Sequence, residues 1–189
     1  MGKKVVITGV PGVGKTTVIE KTIEALKSEG IEYRAINFGT CMFEVASSKG
    51  YASDRDEMRK LDQGLQREFQ KAAASHIAGI EENVIVDTHS SVSTPQGYLA
   101  GLPEWVLREL KPDVVVLVEA DEDQILKRRL KDASRNRDLE GYRDILDHQQ
   151  FNRFMAASYS MMTGCTVKII HNPDFLLEKS VANMAELLR

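Results

Sequence analysis

A glycine-rich segment near the start of the chain has the residue types and spacing that hold a phosphate group. It follows the apolar run Lys4–Thr8, precedes a helical pattern over Lys15–Ser28, and fits G-x-x-x-x-G-K-[ST]. Glycines let such a loop adopt positive φ angles and let backbone amides approach a phosphate closely. The segment predicts a phosphate-binding P-loop made of Gly9, Val10, Pro11, Gly12, Val13, Gly14, Lys15, Thr16 and Thr17.

Three side chains extend this prediction to a magnesium–nucleoside triphosphate, with ATP as the expected donor. In such loops the lysine, here Lys15, contacts the β- and γ-phosphates, and the hydroxyl of Thr16 binds Mg²⁺. Asp87 ends an apolar strand, where a carboxylate holds Mg²⁺ directly or through water. Zinc is not expected, because Cys41 and Cys165 lie far apart and form no C-x-x-C pair.

Residues 127–137 are strongly basic in a chain whose net charge is -3. A solvated charged face is the commonest explanation of such a run, and it suits Lys127 and Arg129. The segment Ser134-Arg135-Asn136-Arg137 interrupts the helical pattern, however, which indicates a loop that brings guanidinium groups to the triphosphate. The predicted catalytic residues are therefore Lys15, Arg128, Arg135 and Arg137.

Strand and helix patterns alternate along the chain, which is typical of a parallel sheet covered on both faces. Residues 56–80 are expected to form one long helix, and residues 89–103 a long functional loop. The predicted fold is α/β, a three-layer P-loop NTPase fold with a five-stranded parallel sheet and helices on both faces. The five strands are expected at residues 4–8, 33–38, 83–87, 113–119 and 166–170.

Composition excludes several classes of protein. The 189 residues are 42% hydrophobic and 28% charged, an ordinary balance for one folded domain. A net charge of -3 provides no basic field for nucleic acid or an anionic membrane, so neither is an expected partner. The N-terminal apolar run is too short for a signal peptide, and we expect a cytoplasmic protein.

Several segments spread over the whole chain resemble the archaeal-type adenylate kinases. They include the P-loop, Asn37-Phe38-Gly39-Thr40, Val86-Asp87-Thr88-His89-Ser90 and Ser134-Arg135-Asn136-Arg137. Residues 54–61, 94–103 and 166–170 extend the match. The resemblance implies the reaction Mg·ATP + AMP ⇌ Mg·ADP + ADP and a homotrimer.

The same resemblance divides the chain into working parts. It implies a core of residues 1–37, 81–130 and 138–189, an AMP-binding part at 38–80 and a short lid at 131–137. The implied AMP contacts are Gly39, Thr40, Arg59, His89 and Gly97. Glu44 stands where bacterial adenylate kinases have an arginine, so Arg55, Arg59 and Arg67 become the local candidates for the AMP phosphate, with Arg59 favoured.

Two other functions remain open at this point. A P-loop kinase for another nucleoside monophosphate, or for a small hydroxyl compound such as shikimate, would share the loop and the strand order. A nucleotide-dependent switch of the GTPase kind would need a guanine-selecting N-K-x-D tetrapeptide. The corresponding late segment, His171-Asn172-Pro173-Asp174, has proline in place of lysine.

Overall fold

The computed structural model describes residues 2–131 and 141–189, except for the side chain of Arg59. The strands are β1 Lys4–Thr8, β2 Arg34–Asn37, β3 Val84–Asp87, β4 Ser91–Thr94, β5 Gly97–Ala100, β6 Val114–Glu119 and β7 Thr166–His171. The helices are α1 Lys15–Ser28, α2 Phe38–Ser48, α3 Arg55–Lys60, α4 Gln63–Ala78, α5 Glu104–Leu110, α6 Glu122–Lys131, α7 Tyr142–Thr163 and α8 Leu177–Leu188. Within these ranges no helix is both long and apolar enough to cross a membrane.

Five strands form one parallel sheet in the order β2-β3-β1-β6-β7, which confirms the predicted fold. The central strands β1, β3 and β6 are runs of β-branched residues that are buried almost throughout. Parallel strands need helical connections, and these bury both faces of the sheet. All five strands therefore end at one edge, where the loops that follow them meet.

Alternate residues of each central strand face two separate apolar layers. Val5 and Ile7 pack with α1, α6 and α8, whereas Val6 faces the opposite layer with α2, α4 and α5. In β6, Val116 and Leu117 divide between the two layers in the same way. The sheet thus lies between two helical layers, and the residues at its carboxyl edge are held from both sides.

The single helix expected over 56–80 is wrong, because the chain breaks between α3 and α4. Leu61 adopts an extended conformation (φ -60°, ψ 151°), and the side chain of Asp62 accepts a hydrogen bond from Leu65 N at 3.0 Å. An N-cap aspartate satisfies one of the free amides at a helix start, which favours a new helix over continuation. The break allows α3 to take a direction different from that of α4.

The segment at 89–103 is more ordered than a loop, since it contains the antiparallel hairpin of β4 and β5. Ser91 Oγ donates to Asn152 Oδ1 of α7 at 2.6 Å, and the Tyr98 ring stacks on Phe151 at 4.6 Å. The buried hydroxyl of Tyr159 donates to Ser90 O at 2.6 Å. These contacts fix the base of the hairpin against α7.

Tyr159→Phe should destabilise the fold, because it removes this hydroxyl and leaves the buried Leu102 amide without its acceptor. Ser90 O loses one donor and keeps the Gly101 amide. The expected loss is roughly 1–3 kcal/mol, with a fall in Tm of about 2–4 °C for each kcal/mol. Calorimetric or denaturant melts would measure it. Tyr51→Phe, at a ring 49% exposed, should stay close to wild type; an equal effect of both changes would contradict the assignment.

Candidate active site

The P-loop between β1 and α1 requires glycine at several positions. Gly12 and Gly14 have φ angles of 89° and 86°, in the left-handed region that favours glycine. A Cβ on Gly9 would lie 2.5 Å from the carbonyl oxygen of Val118, so the loop passes directly over β6. Gly14 is also the N-cap of α1. The loop therefore presents its backbone, and the positive end of a helix, to the edge of the sheet.

Lys15 and Asp87, which the sequence assigns separately to the phosphates and to Mg²⁺, contact each other at this edge. Lys15 Nζ contacts Asp87 Oδ1 and donates to Thr88 O at 3.0 Å. Asn37 Nδ2 donates to the other oxygen, Asp87 Oδ2, at 3.2 Å. The carboxylate is thus held by the first residue of α1 and by the last residue of β2, at the edge of the sheet.

A cavity of about 850 Å³ opens above these residues and extends to both sides of them. All nine predicted P-loop residues line it, as do Gly39, Asp87, His89 and Arg128. The sequence reasoning missed other lining residues, which are Asn37, Phe38, Thr88, Val92 and Gly101. The cavity extends from the phosphate loop to the start of α2 and to Arg55 of α3.

The arginine candidates from the helices after β2 fall in different places. Arg55, which sequence reasoning ranked below Arg59, lines the cavity, and its Nη2 donates to Thr40 Oγ1 at 2.6 Å. Arg67 instead lies over the ring of Trp105, 4.4 Å from its centroid, which is a cation–π contact on the α4–α5 surface. The backbone of Arg59 lies in α3, and its side chain is outside the described part of the structure.

Of the remaining predicted AMP contacts, Thr40 reaches the cavity only through Arg55. Gly97 begins β5 at the tip of the hairpin, with a φ of 119°, and is not among the described residues that line the cavity. A hairpin turn with positive φ explains its glycine without a ligand. Arg135 and Arg137 lie outside the described residues.

The two neighbouring arginines of α6 both hold the P-loop. Arg128 Nη1 donates to Val13 O at 3.0 Å, while its Nε and Nη2 donate to Asp174 Oδ1. Arg129 was expected at the surface, and that expectation is wrong, because its Nε donates to Pro11 O at 2.7 Å. Lys127, on the outer side of α6, forms an exposed pair with Asp123, as expected. The spacing of the basic residues in α6 does not indicate which face of this helix the P-loop covers.

His89 follows Asp87 closely and lines the same cavity. Desolvation beside the loop, followed by the charge of Lys15, lowers the pKa of His89. The adjacent carboxylate of Asp87 and the backbone of Gly9 act in the opposite direction but do not outweigh them. The ring is therefore mostly neutral near neutral pH, which suits a hydrogen-bonding residue of the cavity wall.

The residues at the metal position fit magnesium. Thr16 provides a hydroxyl and Asp87 a carboxylate at the same cavity, and both are the oxygen ligands that Mg²⁺ prefers. Among the described residues no cluster of three histidine, cysteine or carboxylate side chains forms an all-protein metal cage. Mg²⁺ is commonly bound by only one or two protein oxygens when phosphate oxygens and water molecules complete its coordination.

Solved structures with the same fold are phosphotransferases. The shikimate kinase of Bacteroides thetaiotaomicron aligns with a TM-score of 0.59 over 98% of each chain, at 16% identity. The shikimate kinase of Acinetobacter baumannii, solved in complex with shikimate, aligns with a TM-score of 0.60 over 100% of this chain and 93% of that one. A family model described as an AAA domain matches residues 8–145. Fold and loop together define a P-loop protein of the small-molecule kinase fold.

Similarity in sequence identifies the family within this class of P-loop proteins. The chain is 62% identical to an adenylate kinase of Methanoculleus marisnigri, in an alignment that covers 100% of both chains. It is 56% identical to an adenylate kinase of Methanocaldococcus jannaschii, over 99% of this chain and 98% of the relative. The chain therefore belongs to the adenylate kinase family, which confirms the resemblance seen in the sequence.

Lys15→Met should abolish the ammonium group that faces the phosphate loop while keeping most of the side-chain volume. We expect kcat to fall by roughly 10²–10³-fold, as for loss of other preorganised charge-stabilising groups, and titration calorimetry to show weaker Mg·ATP binding. Lys21→Met is the matched control, since Lys21 is an exposed lysine of the same helix that pairs with Glu24. Full turnover by Lys15→Met would contradict the site.

Proposed function

We propose that this protein catalyses the reversible transfer of the γ-phosphoryl group of Mg·ATP to AMP, giving two molecules of ADP. The observation that supports it best is the single cavity, which has the P-loop on one side and Arg55, with the start of α2, on the other. The adenylate kinases among its relatives, aligned over their whole length, support the same reaction.

On the donor side, the P-loop amides and the N-terminus of α1 bind the triphosphate. Lys15 leaves its contact with Asp87 for the β- and γ-phosphate oxygens, an exchange of one anionic partner for another. Arg128, Arg135 and Arg137 are proposed to balance the charge that spreads over the moving group.

On the acceptor side, Arg55 and Arg59 hold the AMP phosphate, with Gly39, Thr40 and His89 around it. A phosphate oxygen of AMP attacks the γ-phosphorus in line, forming a new P–O bond. The bond between that phosphorus and the bridging oxygen breaks, and the electron pair leaves with ADP. The attacking oxygen is already ionised, so no side chain has to remove a proton.

Thr16 and Asp87 are proposed to hold Mg²⁺ directly or through water. When bound, the ion supplies positive charge to the β- and γ-phosphate oxygens and fixes their orientation. Residues 38–80, comprising α2, α3 and α4, are proposed as the AMP-binding part, and residues 131–137 as a short lid, of which 132–137 lie outside the described residues. Their closure would exclude water and so prevent wasteful hydrolysis of ATP.

Arg55→Ala should raise the KM for AMP far more than the KM for ATP, because one charged hydrogen bond to a phosphate is lost. The expected increase is roughly 10- to 100-fold. Arg59→Ala should behave in the same way if its side chain shares the phosphate. Arg67→Ala is the matched control: it removes an arginine over Trp105 and should change stability by roughly 0.5–1 kcal/mol, with both KM values kept.

The assay is coupled ADP formation from Mg·ATP with AMP, CMP, UMP, GMP and shikimate offered in turn. Turnover mainly with AMP supports the proposal. If turnover occurs only with another acceptor, the P-loop assignment stands. The protein would then be a kinase for another nucleoside monophosphate or for a small hydroxyl compound, and the proposed transfer to AMP would be wrong. Equal effects of Arg55→Ala and Arg67→Ala on the KM for AMP would remove Arg55 from the acceptor site.

We also propose that the chain acts in the cytoplasm as a homotrimer. The trimer is supported by large apolar side chains that are exposed on α7 and on the edge strand β7, namely Phe154, Met161, Met162 and Val167. Met161 is 90% exposed. Exposed apolar side chains of this size are suited to burial at a contact between subunits.

Light scattering should give a mass three times that of the 21.1 kDa chain. Met161→Lys combined with Phe154→Lys should reduce that mass, because two charges would be buried at the contact. A double change at the exposed residues Leu99 and Tyr51, on other parts of the surface, should leave it unchanged. A monomeric wild type would contradict the trimer and leave the enzymatic proposal intact.

A further inference from the structure

Two side chains from distant parts of the chain donate to the same carbonyl of the P-loop. Asn172 Nδ2 lies 2.9 Å from Val13 O, and Arg128 Nη1 lies 3.0 Å from it. A carbonyl oxygen can accept two hydrogen bonds, and here side chains supply both. One of the donors is a cation, which polarises the Val13–Gly14 peptide more strongly than a neutral donor would.

Asn172 is placed for this contact with little freedom. It is buried, only 5% exposed, and its backbone amide donates to Glu119 O at 2.7 Å, at the end of the central strand β6. A Cβ on Gly14 would lie 2.6 Å from Asn172 Nδ2. The Asn172 amide therefore occupies the space that a side chain at position 14 would need, and the two residues fit together.

Arg128 is held from its other side. Its Nε and Nη2 donate to Asp174 Oδ1 at 2.9 and 2.6 Å, and Nη2 also donates to Asn172 O at 2.9 Å. The Asp174 amide in turn donates to Gln124 Oε1 at 2.8 Å. The guanidinium is thus fixed in a plane with Nη1 directed at the loop, which joins α6, the loop and the segment after β7.

The carbonyl of Val13 and the N–H of Gly14 belong to one peptide group. Donors on the carbonyl draw electron density from the nitrogen, and chains of hydrogen bonds strengthen one another in this way. In a loop of this pattern, the amides at the helix start are the donors to phosphate. We propose that Asn172 is a positioning residue for the donor nucleotide: together with Arg128, which Asp174 orients, it fixes the Val13–Gly14 peptide and strengthens the Gly14 N–H as a phosphate donor.

This inference rests on the proposed binding of a triphosphate at the loop, but not on the identity of the acceptor. Its test is therefore direct binding of Mg·ATP by titration calorimetry, with no AMP present. Asn172→Ala should weaken binding roughly three- to tenfold, the range for loss of one modest hydrogen bond. In steady-state assays the KM for ATP should rise by a similar factor, and the KM for AMP should change little.

Ser180→Ala is the matched control. Ser180 is fully buried and its Oγ donates to His171 O at 2.8 Å, so it anchors the same segment from the α8 side without touching the loop. A merely structural role for Asn172 would predict that both variants lower Tm and weaken Mg·ATP binding together. The proposal predicts that only Asn172→Ala weakens binding.

NMR chemical shifts of the Val13–Gly14 peptide report on its hydrogen bonds and do not change merely because the protein is less stable. Removing a donor from the Val13 carbonyl should shift its ¹³C resonance upfield and move the Gly14 amide ¹⁵N, in Asn172→Ala and not in Ser180→Ala. Asp174→Ala, at a partly exposed residue, is a second variant that should fold if Asn172→Ala does not, and it should shift the same two resonances by releasing Arg128. Wild-type resonances in both variants, or unchanged Mg·ATP affinity, would overturn the proposal.

Discussion

The parallel register of three neighbouring strands determines the geometry of the site. Asp87 of β3 lies opposite Ile7 of β1 and Asn37 of β2, so three strands end level at one edge. A shift of one residue would turn the carboxylate into an apolar layer, since side chains alternate between the faces. Burial of the apolar strand residues is strongly favourable and therefore fixes the register of the strands. The register in turn determines where the polar residues at the strand ends lie.

The two sides of the cavity are built from elements that pack on opposite faces of the sheet. The P-loop is supported by α6 and by the segment after β7, through the contacts of Arg128, Arg129 and Asn172 with loop carbonyls. The opposite side of the cavity is formed by α2 and the start of α3, where Arg55 contacts Thr40. The P-loop side of the cavity is therefore tied to the core at several points, whereas the opposite side depends on short helices whose break at Asp62 separates α3 from α4.

Sequence patterns predicted what is encoded locally. The P-loop and the five parallel strands follow from short motifs and from alternating strand and helix patterns. The hairpin at 91–100 was missed because its four-residue strands contain serine, threonine and glycine and have only a weak apolar alternation. Arg129 was misjudged for a different reason: a charged residue on a helix looks the same in sequence whether solvent or a loop carbonyl, here Pro11 O, faces it.

The likeness to shikimate kinases raises the question of which acceptor this fold serves, because a hydroxyl acceptor needs a base and an ionised phosphate does not. Asp87 is the carboxylate nearest the P-loop lysine, yet one of its oxygens contacts Lys15 and the other accepts from Asn37. Both oxygens of this carboxylate therefore already have partners in the cavity. Arg55 adds a positive charge to the acceptor side of the cavity, where it favours an anion. Both features fit a phosphate acceptor better than an alcohol, on a scaffold that accommodates either.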